Sequence, residues 1–165
     1  MPEANSQSDE ELVAICLSED KEAFGILVDR YEDRLGRYIR RISRFRPEEI
    51  EDLLQAIFLK VWQNLQSFKP HLKFSSWIYR IAHNETLTYI RNGKSDAHGH
   101  VLDIDEEVLQ NIASEIDVLK ETSKEYDAMV LRKVLTKLPQ DQYDVIVLKF
   151  FEEKSYDEIS DILTI

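Results

Sequence analysis

The sequence predicts an all-α protein, built as two small helical domains joined by an acidic linker. Three observations lead there. Apolar residues recur at helical spacing, most clearly at Ile50, Leu53, Leu54, Ile57, Phe58, Val61, Trp62 and Leu65, which describe one wide face of a helix. Four Gly and four Pro in 165 residues are few for a turn-rich β protein. Two Ser-x-x-Glu capping boxes, Ser8 to Glu11 and Ser155 to Glu158, each open a short apolar run.

The first box starts a helix with Leu12, Ile15 and Cys16 inward. Asp20 is placed to cap a second helix, whose residues Phe24, Leu27, Val28, Tyr31, Leu35, Tyr38, Ile39 and Ile42 keep one register. Its far side carries Arg30, Arg34, Arg37, Arg40, Arg41 and Arg44. Such a charge run is ordinarily a solvated face, with contact to nucleic acid or an acidic partner as the sharper alternative. Pro47 suits the first turn of the third helix, which carries the Ile50–Leu65 face. Phe68-Lys69-Pro70 breaks that helix, and Ser75 or Ser76 is expected to cap a fourth. Gly93 is placed as its C-terminal cap. Long amphipathic helices with short loops imply a compact bundle over residues 1–95.

Residues 96–125 differ in kind. Asp96, Asp103, Asp105, Glu106, Glu107, Glu115 and Asp117 crowd a stretch with thin apolar periodicity, which reads as an acidic, partly helical linker. A DNA mimic is the sharper reading; a calcium loop lacks its glycine and ligand spacing. A second helical unit over 126–165 places Met129, Val130, Val134 and Leu138 on one face. Pro139 stands at a helix start, and Tyr143, Ile146, Val147, Phe150 and Phe151 form the next face. The second capping box then leads into Ile159, Ile162 and Leu163, the form of the first helix of a helix-turn-helix. The sequence stops at Thr164-Ile165, where the turn is expected, so the helix that would read the major groove is missing from it.

The formal net charge of −11 argues against indiscriminate DNA binding. Residues 1–95 carry 14 Lys and Arg against 15 Asp and Glu, whereas residues 96–165 carry 7 against 17, so the acidity sits mostly in the second half. The single cysteine, Cys16, excludes an internal disulfide and a Cys-rich metal site. No window approaches a membrane span and the polar N-terminus lacks a signal-peptide core, so a soluble cytoplasmic protein is expected. There is no glycine-rich phosphate loop, no Ser/His/Asp order and no paired-carboxylate pattern. His71, His83, His98 and His100 read as surface residues rather than zinc ligands. No catalytic residue, metal or cofactor is expected, and the chain does not read as an enzyme.

The fourth helix carries the chemistry. At about 100° per residue, Trp77, Arg80, Asn84, Thr88 and Arg91 fall on one stripe, while Ile78, Ile81, Ala82 and Tyr89 turn toward the core. Guanidinium groups contact phosphates and base edges, an amide pairs with a base edge, and an aromatic stacks on an unstacked base. A solvated face with one half-buried Trp is the plainer reading of spacing alone.

Asp52-Leu53-x-Gln55-x-x-Phe58-x-x-x-Trp62, then Phe74-x-x-Trp77-Ile78-Tyr79-Arg80-Ile81-Ala82-x-Asn84 and Tyr89-Ile90-Arg91, resemble the second conserved region of bacterial RNA polymerase sigma factors. The likeness is to the extracytoplasmic-function (ECF) group of the sigma-70 family. It continues at Leu138-Pro139 and Phe150-x-x-x-x-Ser155-Tyr156-x-Glu158-Ile159, which resemble the start of that family's fourth region. The resemblance implies a region 2 bundle over 1–95, an acidic linker over 96–125 and an incomplete region 4 over 126–165. It implies that core RNA polymerase is bound through its largest-subunit clamp helices by Asp52, Gln55 and Phe58. Asp52 and Gln55 are then the direct contacts, with Phe58 and Trp62 turned to the core. It implies promoter minus-ten contacts by Trp77, Arg80, Asn84, Arg91 and Lys94, and an anti-sigma factor as a further partner.

Two departures stand out. The family usually has Asp where this chain has Thr88, and a run of Arg where this chain has Arg91, Lys94 and then Asp96. The alternative is a sigma-like decoy that binds an anti-sigma factor without binding DNA. A plain helical scaffold would require the paired motif blocks to be accidental.

Overall fold

The computed structural model describes residues 7–18, 21–93, 112 and 124–165. All regular structure among them is helical. Helices α1 (Asp9–Ser18), α2 (Ala23–Ile42), α3 (Pro47–Asn64) and α4 (Phe74–Arg91) form the first unit, and α5 (Lys124–Leu135), α6 (Gln140–Ile146) and α7 (Tyr156–Leu163) the second. A 3₁₀ turn, Leu65–Ser67, ends α3, and a π-helical turn, Val147–Phe151, prolongs α6.

Both capping boxes form. The Ser8 N–H donates to Glu11 Oε2 at 2.7 Å and the Glu11 N–H to Ser8 Oγ at 3.2 Å. At the second box the Ser155 N–H donates to Glu158 Oε2 at 2.9 Å and the Glu158 N–H to Ser155 Oγ at 3.2 Å. Pro47 opens α3, and Gly93 ends α4 at φ +65°, a conformation that costs glycine little.

The start of α4 departs from expectation. Neither Ser75 nor Ser76 is its cap: Lys73 holds that position, and both serines lie in the first turn. The Phe74 N–H, one of the orphan donors of that turn, instead donates to Glu10 Oε1 of α1 at 2.8 Å. Any acceptor brought in by the tertiary fold can serve a helix start, and one 64 residues away leaves no local signal. Asp20, the expected cap of α2, lies outside the described residues, and the position before α2 is Glu22, which makes no side-chain cap bond.

Leu12, Leu27, Leu35, Tyr38, Ile39, Ile57, Val61, Phe74, Ile78 and Tyr79 centre a core that runs on without a gap into Val147, Leu148, Ile159 and Ile162. The two units therefore share one interior, and α7 lies along α4. The face expected for α5 is corrected. Met129, Val130 and Val134 are exposed, whereas Leu135 is buried and Leu131 packs against the core. Apolar residues occupy more than one side of this helix, and packing rather than period selects the buried one. Of the expected linker before Lys124, the described part is Ile112 alone, which is helical and buried. The rest of that stretch lies outside the described residues.

Candidate nucleic-acid interface

An aromatic cluster sets the azimuth of α4. The Phe74 ring centroid stands 5.7 Å from Tyr31, 5.6 Å from Phe68 and 5.7 Å from Trp77, and Trp77 stands 5.4 Å from Phe68. Edge and tilted contacts at this range favour one orientation. With Trp77, Ile78, Tyr79 and Ala82 drawn inward, the helix presents Asn84 and Arg91 to solvent.

The stripe is thereby divided. Trp77 is only 9% exposed, packed by Phe68 and Phe74, so it is not the free stacking platform that its spacing suggests. Arg80 is half-buried and shares a crevice with Ser76, Trp77 and Asp161 of α7. Asn84 and Arg91 are exposed, and Arg91 Nη2 donates to Thr88 Oγ1 at 3.3 Å. Lys94 lies outside the described residues.

On α3, Asp52 and Gln55 are exposed. Phe58 is half-buried, as is Trp62, whose ring stands 5.0 Å from Phe24. Asp52 also lines a groove of about 340 Å³ between α3 and α4, with Ala56, Glu85, Thr88 and Tyr89. The polar edge of α3 and the C-terminal half of the α4 stripe thus meet across Thr88, and Glu85 is neutralised locally by Lys60. Among the described residues no group of three His, Cys, Asp or Glu is placed to hold a metal ion.

The arginine side of α2 is not uniformly solvated. Arg30 bonds Asp9 at 2.8 Å, Arg34 stands 5.3 Å over the Tyr31 ring, and Arg41 bonds Glu152 at 3.1 Å with its guanidinium 4.7 Å over the Phe151 ring. Arg37, Arg40 and Arg44 remain exposed. An acidic partner is present after all, and it belongs to the same chain.

His83 is the main correction among the histidines. It is buried, its Nδ1 2.9 Å from Tyr38 Oη and its Nε2 3.8 Å from Asp144 Oδ2 of α6. Burial lowers its pKa from 6.5 to about 4. Burial also raises Asp144 to about 7, with Asp141 adding to the rise and the bond from Gln140 opposing it. The pair is thus a neutral imidazole beside a carboxyl that keeps its proton to about pH 7. A lone His at this spacing carries no sign of a carboxyl that only the fold delivers.

Asp144 is raised above its ordinary 3.8, so its contribution to stability is lost as pH climbs from about 4 to about 7 and is constant above. Asn imitates the protonated side chain and keeps an oxygen for Gln140 Nε2, now 2.7 Å from Asp144 Oδ1. Asp144→Asn should therefore be near neutral at about pH 4 and stabilising by on the order of 3 kcal/mol at about pH 8. The His83 titration is common to both proteins and cancels in the difference. Thermal unfolding of the two across this range checks it; a Tm difference independent of pH contradicts it.

Comparison with known proteins places this geometry. Residues 27–95 match the Sigma-70 region 2 model and residues 128–165 the Sigma-70 region 4 model. The ECF RNA polymerase sigma factor SigW of Bacillus subtilis is 33% identical over 153 residues, 88% of this chain and 80% of that protein. The ECF RNA polymerase sigma-E factor of Escherichia coli K12 is 30% identical over 165 residues, 94% of this chain and 83% of that one. CnrH, solved in complex with the cytosolic domain of CnrY, shares the fold with a TM-score of 0.65 at 22% identity, over 96% of this chain and 84% of that one.

Proposed function

Because the chain belongs to the ECF group of the sigma-70 family of RNA polymerase sigma factors, we propose that it is a dissociable initiation subunit. In this reading it binds core RNA polymerase and directs promoter recognition and strand opening. Residues 1–95 form the polymerase- and minus-ten-binding domain, 96–125 the linker and 126–165 the region 4 unit. Asp52 and Gln55 touch the clamp helices of the largest subunit, with Phe58 supporting them from the half-buried side of α3. Asn84 and Arg91 engage the separated minus-ten element, with Lys94 continuing the phosphate contacts and Trp77 and Arg80 joining when uncovered. The chemistry is recognition, so the protein is not an enzyme. It works in the cytoplasm, where its polymerase is; among the described residues no helix is long and apolar enough to cross a membrane. An anti-sigma factor is the further partner. CnrH, which shares the fold, is bound by the cytosolic domain of another protein.

The supporting observation is that Asp52 of α3 and Thr88 of α4 line one groove, while Gln55 on α3 and Asn84 and Arg91 on the stripe that holds Thr88 are exposed. An amide and a guanidinium two turns apart can hold one base edge and one phosphate. Net charge near zero in residues 1–95 means that DNA affinity depends on the polymerase supplying most of the phosphate contacts.

Gel filtration with core polymerase, followed by in vitro transcription from a genomic fragment library, tests the reading. Co-migration and a discrete set of start sites are expected. A decoy that sequesters an anti-sigma factor would migrate apart from the polymerase and start no transcripts.

A further inference from the structure

Three arginines of α2 line a recess that promoter recognition leaves unused. It lies between α2 and the segment that follows α6, has a volume of about 200 Å³, and is walled by Arg34, Arg37, Arg41, Phe151, Glu152 and Glu153. Spacings of three and four residues put the guanidinium groups on one side of the helix. They extend over a rise of about 10 Å. Two of the three are held in place. Arg41 is fixed by Glu152 Oε1 at 3.1 Å and by the Phe151 ring, 4.7 Å from its guanidinium. Arg34 stands 5.3 Å over the Tyr31 ring, which orders the side chain without neutralising it. Arg37, between them, is exposed and makes no ion pair among the described residues.

The charges of the wall do not cancel. Glu152 is engaged by Arg41 and by Tyr79 Oη, and its side chain is 6% exposed. Glu153 is then the one carboxylate of the wall that faces solvent, against Arg34 and Arg37. A left-handed φ of +53° and flanking backbone bonds hold it at the rim: the Glu152 N–H donates to Val147 O at 3.2 Å and the Lys154 N–H to Leu148 O at 2.9 Å. Lys154 adds a cation close by, and burial, then Arg34, lower its pKa. An anion in the recess would relieve this crowding of positive charge.

The dimensions narrow the class of anion. Pockets that enclose drug-sized ligands run to about 300–1,000 Å³, so this one is too small to take a base and sugar as well. Guanidinium forks match phosphate oxygens in pairs. A row of them about 10 Å long suits linked phosphoryl groups better than a lone one. We propose that the recess binds a condensed phosphate, either free pyrophosphate or the polyphosphate end of a nucleotide, with Arg34, Arg37 and Arg41 as its donors. Glu153 opposes the anion and sets its affinity. None of the α3 and α4 residues assigned to polymerase or DNA takes part, so the site stands or falls apart from the promoter reading.

Isothermal titration of the full chain with pyrophosphate, in metal-free buffer at about 0.15 M salt, tests it. Saturable one-to-one binding is expected. Arg37→Ala should weaken it about tenfold or more, and Glu153→Gln should tighten it severalfold. Both side chains are exposed, so neither change empties the core, and far-UV circular dichroism with thermal unfolding confirms the fold. Arg44→Ala, at an exposed arginine outside the recess, should leave binding unchanged. Competition by ATP would make a nucleotide one source of the phosphate, and its failure would leave free pyrophosphate; either result upholds the site. Equal losses with Arg37→Ala and Arg44→Ala would show attraction to diffuse charge and overturn it. Absence of pyrophosphate binding, with or without binding of a short single-stranded DNA, would overturn it too.

Discussion

Asp52→Arg should weaken binding to core RNA polymerase by roughly a hundredfold, about 2.8 kcal/mol, with the fold unchanged. Asp52 is exposed on α3, so the substitution neither opens a cavity nor strands a buried partner. Substitutions at such positions ordinarily move stability by about 0.5 kcal/mol or less. In the proposed contact Asp52 meets a basic site on the clamp helices, so the change does two things: it removes that attraction, and it sets like charges together. The second effect is the larger, because juxtaposed like charges at an interface cost several kcal/mol. Phe58→Ala is a poorer probe, since Phe58 is half-buried against the core and its loss would lower stability as well. Titration of labelled protein with core polymerase reads the affinity, and thermal unfolding of the free protein provides the control. Equal affinity for the two proteins would remove α3 from the polymerase interface.

Period and punctuation carry the bundle in the sequence. The Ile50–Leu65 face, the two Ser-x-x-Glu boxes, Pro47 and Gly93 all act within a few residues, and each takes the form that its spacing implies. What escapes is whatever one helix does to another that is distant in the chain. Glu10 caps α4 from α1, and Asp144 reaches His83. Glu152 takes up Arg41 from a face that reads as solvated. Each joins residues far apart in sequence, and a charged or polar side chain looks the same whether its partner is water or another helix.

The candidate site divides along the same line. Asp52, Gln55, Asn84 and Arg91 stand exposed, as an i, i+7 reading allows. Trp77 does not, because Phe68 and Phe74 claim its ring, and an aromatic on a polar stripe gives no sign of which neighbours will reach it.

Asn84→Ala should lower the yield of open promoter complexes about tenfold or more. Extruding a base costs a few kcal/mol of unstacking, which contacts to the captured base must offset. A base-edge contact supplies about 1–3 kcal/mol of that, and alanine supplies none. The fold should not suffer: Asn84 is exposed in the middle of α4, where alanine is the better helix former. Because the loss falls on opening, the variant should bind core polymerase as the parent does. The claim is that this edge of α4 holds the separated strands, and the direct measurement is fluorescence of 2-aminopurine placed in the minus-ten element of a cognate promoter. With core polymerase and the parent protein, the signal should rise as the base leaves the stack; with Asn84→Ala it should stay near the level of the closed duplex. An equal rise with both proteins would contradict the assignment of this edge to promoter opening.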